Sequence, residues 1–161
     1  MNTGSEHVFY EIWMFLTVIK ELVVMPKTPQ NLFCKNAYIE CFVIHLRNIL
    51  NFFYTPSKNR IKDDILAEDF LNNIKNIKIY KKKRTPFSQL SYTKTRIDKQ
   101  LVHLTYHRNR YNKRTKPWQF GKLHSQLYPT IVAFYEALPA SFKNWPYFKE
   151  LKKVIDININ I

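Results

Sequence analysis

The chain has 161 residues, of which 45% are hydrophobic, so it suits one domain with its own core and is not an intrinsically disordered chain. Its 26 Lys and Arg residues outnumber the 12 Asp and Glu residues, which gives a formal charge of +14. This charge favours a polyanion partner such as nucleic acid, and the alternative is a basic surface without such a partner.

The N-terminal third of the chain predicts two consecutive helices. Apolar residues at helical spacing predict the first over residues 7–25, after a short terminal tail. Charged residues interrupt its apolar run and no basic region precedes it, so it is neither a signal peptide nor a membrane span. Pro29 opens the second helix, over residues 30–54, whose apolar side chains cover most of its circumference. Such a helix is packed on most sides, so we expect it at the centre of a bundle.

A third helix is predicted over residues 63–79, followed by a strongly basic connection. Asp63 and Asp64 would lie in its first turn, where carboxylates suit the helix dipole. The run KKKR at residues 81–84 ends shortly before a proline and is predicted to be an exposed loop. This run is either a solvated linker or a phosphate contact.

The C-terminal half predicts the remaining helices. Thr95 and Asp98 resemble a capping box that opens a fourth helix, which extends to about residue 112. Pro117 opens a fifth helix, and Pro129 is expected to kink or split it.

A last helix over residues 146–155 completes the prediction of an all-α fold. We expect a single-domain bundle of five or six helices that spans residues 6–155, with terminal tails at residues 1–5 and 156–161. The alternating sequence of the C-terminal tail fits either a frayed end or an added edge strand.

The cysteine and histidine spacing bears on compartment and metal binding. Cys34 and Cys41 lie two helical turns, about 10 Å, apart, which is too far for a disulfide, so we expect buried reduced thiols in a cytoplasmic protein. Cys41 and His45 share one helix face, and His103 and His107 share another. If the two pairs met they could hold zinc, but the spacing does not require it. We therefore predict no metal and no cofactor.

Several residues could support RNA chemistry without a metal. Such cleavage needs an acid or base that works near neutral pH and a cation that offsets the charge on phosphate. Arg96 and His103 are seven residues apart and share one face of the fourth helix. His45, Arg47 and Asn48 follow one another closely on the second helix. With only two glycines, the chain has no glycine-rich phosphate loop.

An all-helical domain with an Arg-x(4–6)-His pair resembles the HEPN (higher eukaryotes and prokaryotes nucleotide-binding) superfamily. The runs NAYIECFVIHLRNILNFFY, DDILAEDF and VHLTYHR are also similar to an uncharacterised bacterial group of small HEPN-like proteins, over about residues 6–135. The resemblance implies an RNA-binding protein or a metal-independent endoribonuclease of the toxin or phage-defence type, often a homodimer. On this basis His103 would act as base or acid, Arg47 and Arg96 would contact phosphate, and Asn48 would orient the site.

The match to the superfamily pattern is incomplete. Phe52 stands five residues after Arg47, where a histidine is expected, and Ile97 follows Arg96 where a polar residue is common. Either the site is composite, with Arg47 facing His103, or the catalytic motif has decayed.

A non-catalytic alternative treats the same residues as structural. His45 would be a hydrogen-bonded core imidazole, and Arg47 would pair with Glu40 or with an acid of the third helix. The protein would then be a helical interaction protein with an internal His/Arg polar network.

Basic segments interleaved with tyrosines predict RNA contacts whether or not cleavage occurs. Lysine and arginine would meet phosphates while tyrosines stack on unpaired bases, although half-buried tyrosines of a bundle would give the same pattern. The predicted phosphate contacts are Lys81, Lys82, Lys83, Arg84, Arg108 and Arg110.

Overall fold

The computed structural model describes residues 2–26, 28–100 and 117–158. Within these ranges all regular secondary structure is helical, without strands, which confirms the prediction of an all-α fold. None of the helices in the described ranges combines the length and apolar character needed to cross a membrane. The α-helices are α1 (Asn2–Val24), α2 (Leu32–Tyr54), α3 (Ile74–Lys83), α4 (Ser91–Gln100), α5 (Phe120–Ala137), α6 (Ala140–Lys143) and α7 (Pro146–Asn158).

These seven described helices exceed the five or six predicted, because the chain forms the single turn α6 between α5 and α7. Helix α1 packs against α2, α5 and α7, and α3 packs against α5. Helix α7 extends to Asn158, so part of the predicted C-terminal tail is helical. Short 3₁₀ turns occupy the connections at Pro29–Asn31, Ser57–Asn59, Ala67–Phe70 and Phe87–Gln89.

Helix α2 occupies the predicted stretch, but only its C-terminal half lies in the core. In its N-terminal half Phe33 is 82% exposed, and Leu32 and Cys34 are also exposed. The expectation of packing on most sides is therefore wrong for this half. The buried residues of α2 are Phe42, Val43, His45, Leu46, Ile49, Leu50, Phe53 and Tyr54.

Helix α1 begins at Asn2, five residues before the predicted start. Its first turn packs against the segment that precedes α3. Ser5 is fully buried, and a side-chain carbon added at Gly4 would lie 3.5 Å from the ring of Phe70. Tertiary contacts thus order residues that the sequence alone leaves as a tail.

Aromatic rings fill the centre of the core around Phe134 of α5, which is fully buried. Its neighbours come from α2, α3, α7 and the turn between α2 and α3, so one side chain links elements distant in sequence. All five rings meet that of Phe134 edge to face, with centroids 5.2–6.3 Å from its own, a favourable geometry for aromatic pairs. They belong to Phe52, Phe53, Phe70, Tyr80 and Phe148.

The prediction of the third helix, over residues 63–79, is wrong at both ends, because α3 spans Ile74–Lys83. Residues 63–73 contain only a 3₁₀ turn, because carboxylates there bind the local backbone, a competitor to helix formation. Asp64 accepts a hydrogen bond from the Ile61 amide, and Asp69 accepts one from the Leu66 amide. The Asn73 side chain caps the N-terminus of α3. The lysines of the basic run form the last turn of this helix, and not the exposed loop that was predicted. Cations in the last turn suit the helix dipole.

The boundaries of α4 and α5 also differ from prediction. Helix α4 begins at Ser91, and the Thr95 hydroxyl donates to the Ser91 carbonyl, so Thr95 lies inside the helix and is not its cap. The predicted continuation beyond Gln100 lies outside the described residues. Pro129 lies within the uninterrupted helix α5, which is therefore not split.

Candidate nucleic-acid interface

His45 joins α2 to α1 inside the protein. Its Nδ1 atom lies 2.7 Å from the Glu11 carboxylate, and the residue is 7% exposed. The ring of Tyr10 meets the imidazole edge to face at 5.5 Å. These contacts fit the structural alternative for His45, because a ring nitrogen is bonded internally and little of the residue meets solvent.

Arg47 lies against α4, and not against the acids considered from the sequence. Its Nε atom is 3.7 Å from the Asp98 carboxylate, and its side chain is 44% exposed. The partner is neither Glu40 nor an acid of the predicted third helix. The following residue, Asn48, lines a separate cavity of about 260 Å³ with Glu11 and other acidic residues, a lining that disfavours phosphate.

Arg96 is 7% exposed and packs where α4 meets the segment before α5. Its guanidinium lies 3.8 Å from the centre of the Trp118 ring, a cation–π arrangement, and it donates to the Pro117 carbonyl at 3.4 Å. His103, the predicted partner of Arg96, lies outside the described residues, as do Arg108 and Arg110.

Arg84 also turns inward. Its guanidinium donates to the Phe53 carbonyl and lies 4.8 and 5.3 Å from the ring centres of Tyr54 and Tyr80. Burial raises the pKa of the Tyr80 hydroxyl well above its usual range, despite this nearby cation. These contacts occupy the guanidinium inside the protein, so Arg84 is a poor candidate for a phosphate contact.

Two lysines of the predicted basic run are neutralised by neighbouring carboxylates. The ammonium of Lys81 lies 2.6 Å from Glu68, and that of Lys83 lies 2.7 Å from Glu136. Burial acts to raise the pKa of Glu68, but hydrogen bonds from Lys81 and Ser57 outweigh it and lower that pKa. Because these carboxylates compete with phosphate for the ammonium groups, Lys81 and Lys83 are weaker candidates for phosphate contacts than the run of basic residues in the sequence suggests.

Three other lysines of α3 form one exposed row, which we call the α3 lysine stripe. Lys75, Lys78 and Lys82 are spaced by three and four residues, so they share one helix face. All three are exposed, and none pairs with a carboxylate of the described residues. Sequence reasoning marked the whole segment as basic, but it could not show which of its charges are neutralised.

The zinc alternative is only partly covered by the described residues. Among the described residues, no group of three or more His, Cys, Asp or Glu side chains could hold a metal ion. His103 and His107 lie outside those residues.

Both cysteines are free thiols, but Cys34 is exposed, contrary to the prediction of burial. Burial, with a smaller effect of the Glu11 carboxylate, raises the pKa of the Cys41 thiol.

Comparisons with protein-family models, curated proteins and solved structures found no match to this chain. The resemblance to HEPN proteins therefore depends on residue patterns alone and stays a prediction.

Proposed function

We propose that the protein binds RNA through its cationic surface, with phosphates held along the α3 lysine stripe. The observation that carries this proposal is the row of three exposed lysines that pair with no carboxylate of the described residues, beside lysines that are paired. The formal charge of +14 adds a long-range attraction for a polyanion. Phosphate contacts of this kind provide affinity with little sequence preference.

Replacing Lys75, Lys78 and Lys82 with Gln should weaken RNA binding and flatten its salt dependence. Three lost phosphate contacts should reduce the slope of log affinity against log salt by about 2 on a single strand. Fluorescence anisotropy with a short unstructured RNA, between about 50 and 200 mM salt, measures both quantities.

A matched control removes the same charge elsewhere. Replacing Lys83, Lys152 and Lys153 with Gln also lowers the net charge from +14 to +11, since three charges are lost, but each of these lysines pairs with a carboxylate. The control should keep most of its affinity. An equal loss in both variants would contradict a defined interface, and the absence of RNA binding by the native protein would overturn the proposal.

A second candidate function is metal-independent RNA cleavage on a HEPN-like fold, as the resemblance implies. The observation that favours it is the exposed side chain of Arg47, whose contact with Asp98 of α4, at 3.7 Å, is longer than the ion pairs of Lys81 and Lys83. Asp98 precedes His103 by five residues in the sequence. We retain the composite version with Arg47 and His103, but Asn48 lines the separate acidic cavity and is not part of it. His45 and Arg96 make internal contacts and are not part of it.

His103→Ala should abolish cleavage if this second candidate is correct. The assay incubates RNA with the native protein in the presence of chelator and resolves the products on a denaturing gel. His7→Ala, which removes an exposed histidine, is the control and should retain activity. Intact RNA with the native protein, or equal cleavage by the His103 variant, would remove the catalytic assignment and leave RNA binding standing.

The internal contacts of His45 and Arg84 support the alternative of a non-catalytic interaction protein. This alternative becomes the preferred function if the native protein does not bind RNA in the experiments above.

The free thiols fit a reducing compartment, so we propose a cytoplasmic location. A homodimer also stays a prediction.

A further inference from the structure

A cavity of about 430 Å³ lies between α4, the 3₁₀ turn before it, and the start of α5. Its volume falls in the range of about 300–1,000 Å³ typical of small-ligand sites. The exposed Lys122 supplies positive charge to its lining, and no carboxylate is among the described residues of the lining. The charge of the cavity therefore favours an anionic ligand.

Aromatic rings and carboxamides form much of the remaining lining. Tyr92 is 65% exposed, so its ring is available for stacking. Trp118 is stacked with the Arg96 guanidinium, which holds that cation at the cavity wall. Three glutamines add donors and acceptors of the kind that recognise base edges. They are Gln89, Gln119 and Gln126.

We propose that this cavity holds one nucleotide of the bound RNA, with its base against Tyr92 and its phosphate beside Lys122. This inference rests on the proposed RNA binding and adds the place where a single nucleotide is recognised. An exposed ring and an adjacent cation supply base stacking and phosphate neutralisation, the two interactions that single-strand binding uses. An acidic peptide could pair with Lys122 but has no base to stack on the Tyr92 ring.

Tyr92→Leu should weaken the binding of a short single-stranded RNA by about 5- to 150-fold, because a base loses its stacking partner. Lys122→Gln should reduce the slope of log affinity against log salt by about 0.7. Both side chains are exposed, so both variants should fold, which thermal unfolding verifies. Phe33→Leu and Lys149→Gln remove an exposed ring and an exposed lysine outside the cavity and should leave RNA affinity unchanged.

Competition identifies the ligand chemistry. Adenosine monophosphate should displace RNA at lower concentration than adenosine, inorganic phosphate or a polyglutamate peptide, because only the nucleotide offers base and phosphate together. Equal displacement by polyglutamate would overturn the assignment. So would unchanged RNA affinity in both cavity variants while the variant of the α3 lysine stripe still loses affinity. Failure of the native protein to bind RNA would overturn the proposed function as well.

Discussion

Phe134→Ala is expected to lower the free energy of unfolding by about 3–5 kcal/mol. The side chain is fully buried and contacts rings from several helices, so truncation removes apolar contacts and leaves a cavity that the surrounding rings cannot easily fill. Domains of this size are stable by only about 5–15 kcal/mol, so the loss should be a large part of the total. Urea denaturation followed by circular dichroism measures it.

Phe33→Ala is the matched control, because it makes the same chemical change at a residue that is 82% exposed. Its effect on the free energy of unfolding should stay within about 0.5 kcal/mol. Phe134→Leu should fall between the two, since it keeps an apolar side chain but loses the edge-to-face contacts. A loss below about 1 kcal/mol for Phe134→Ala would contradict the placement of this ring at the centre of the core.

A helix could be predicted from the sequence where its boundary residues and its apolar periodicity indicate the same span. Helix α2 follows Pro29 and carries apolar residues at helical spacing, so its position could be predicted to within about two residues. The segment before α3 could not be predicted in the same way. There Asp64 and Asp69 bind local amides, and that competition depends on side-chain geometry more than on residue type.

The candidate site was less predictable because it depends on long-range pairing. Lys81 and Lys83 are paired with Glu68 and Glu136, residues that are 13 and 53 positions away in the sequence. Nothing in the basic run distinguishes these paired lysines from Lys82. The cavity beside Arg96 is likewise lined by residues of both α4 and α5, which are far apart in the sequence.

Arg84→Met should lower the free energy of unfolding by about 2–3 kcal/mol and leave RNA affinity unchanged. Methionine keeps an apolar stem but loses the charged hydrogen bond to the Phe53 carbonyl and the contacts with two tyrosine rings. A hydrogen bond from a charged group contributes about 1.5–3 kcal/mol, and a cation–π contact about 0.5–1 kcal/mol. Denaturant unfolding measures stability, and RNA anisotropy at a temperature where the variant is folded measures affinity.

Lys82→Gln, two residues away from Arg84, should lower RNA affinity and leave the free energy of unfolding almost unchanged, the opposite of Arg84→Met. Its side chain is exposed and unpaired with any described carboxylate, so stability should change by less than about 0.5 kcal/mol while RNA affinity falls. Two cations of one basic run would then serve separate purposes, one inside the protein and one at its surface. If Arg84→Met instead kept full stability and lost RNA affinity, the guanidinium would belong to the interface and its contacts with Tyr54 and Tyr80 would be incidental.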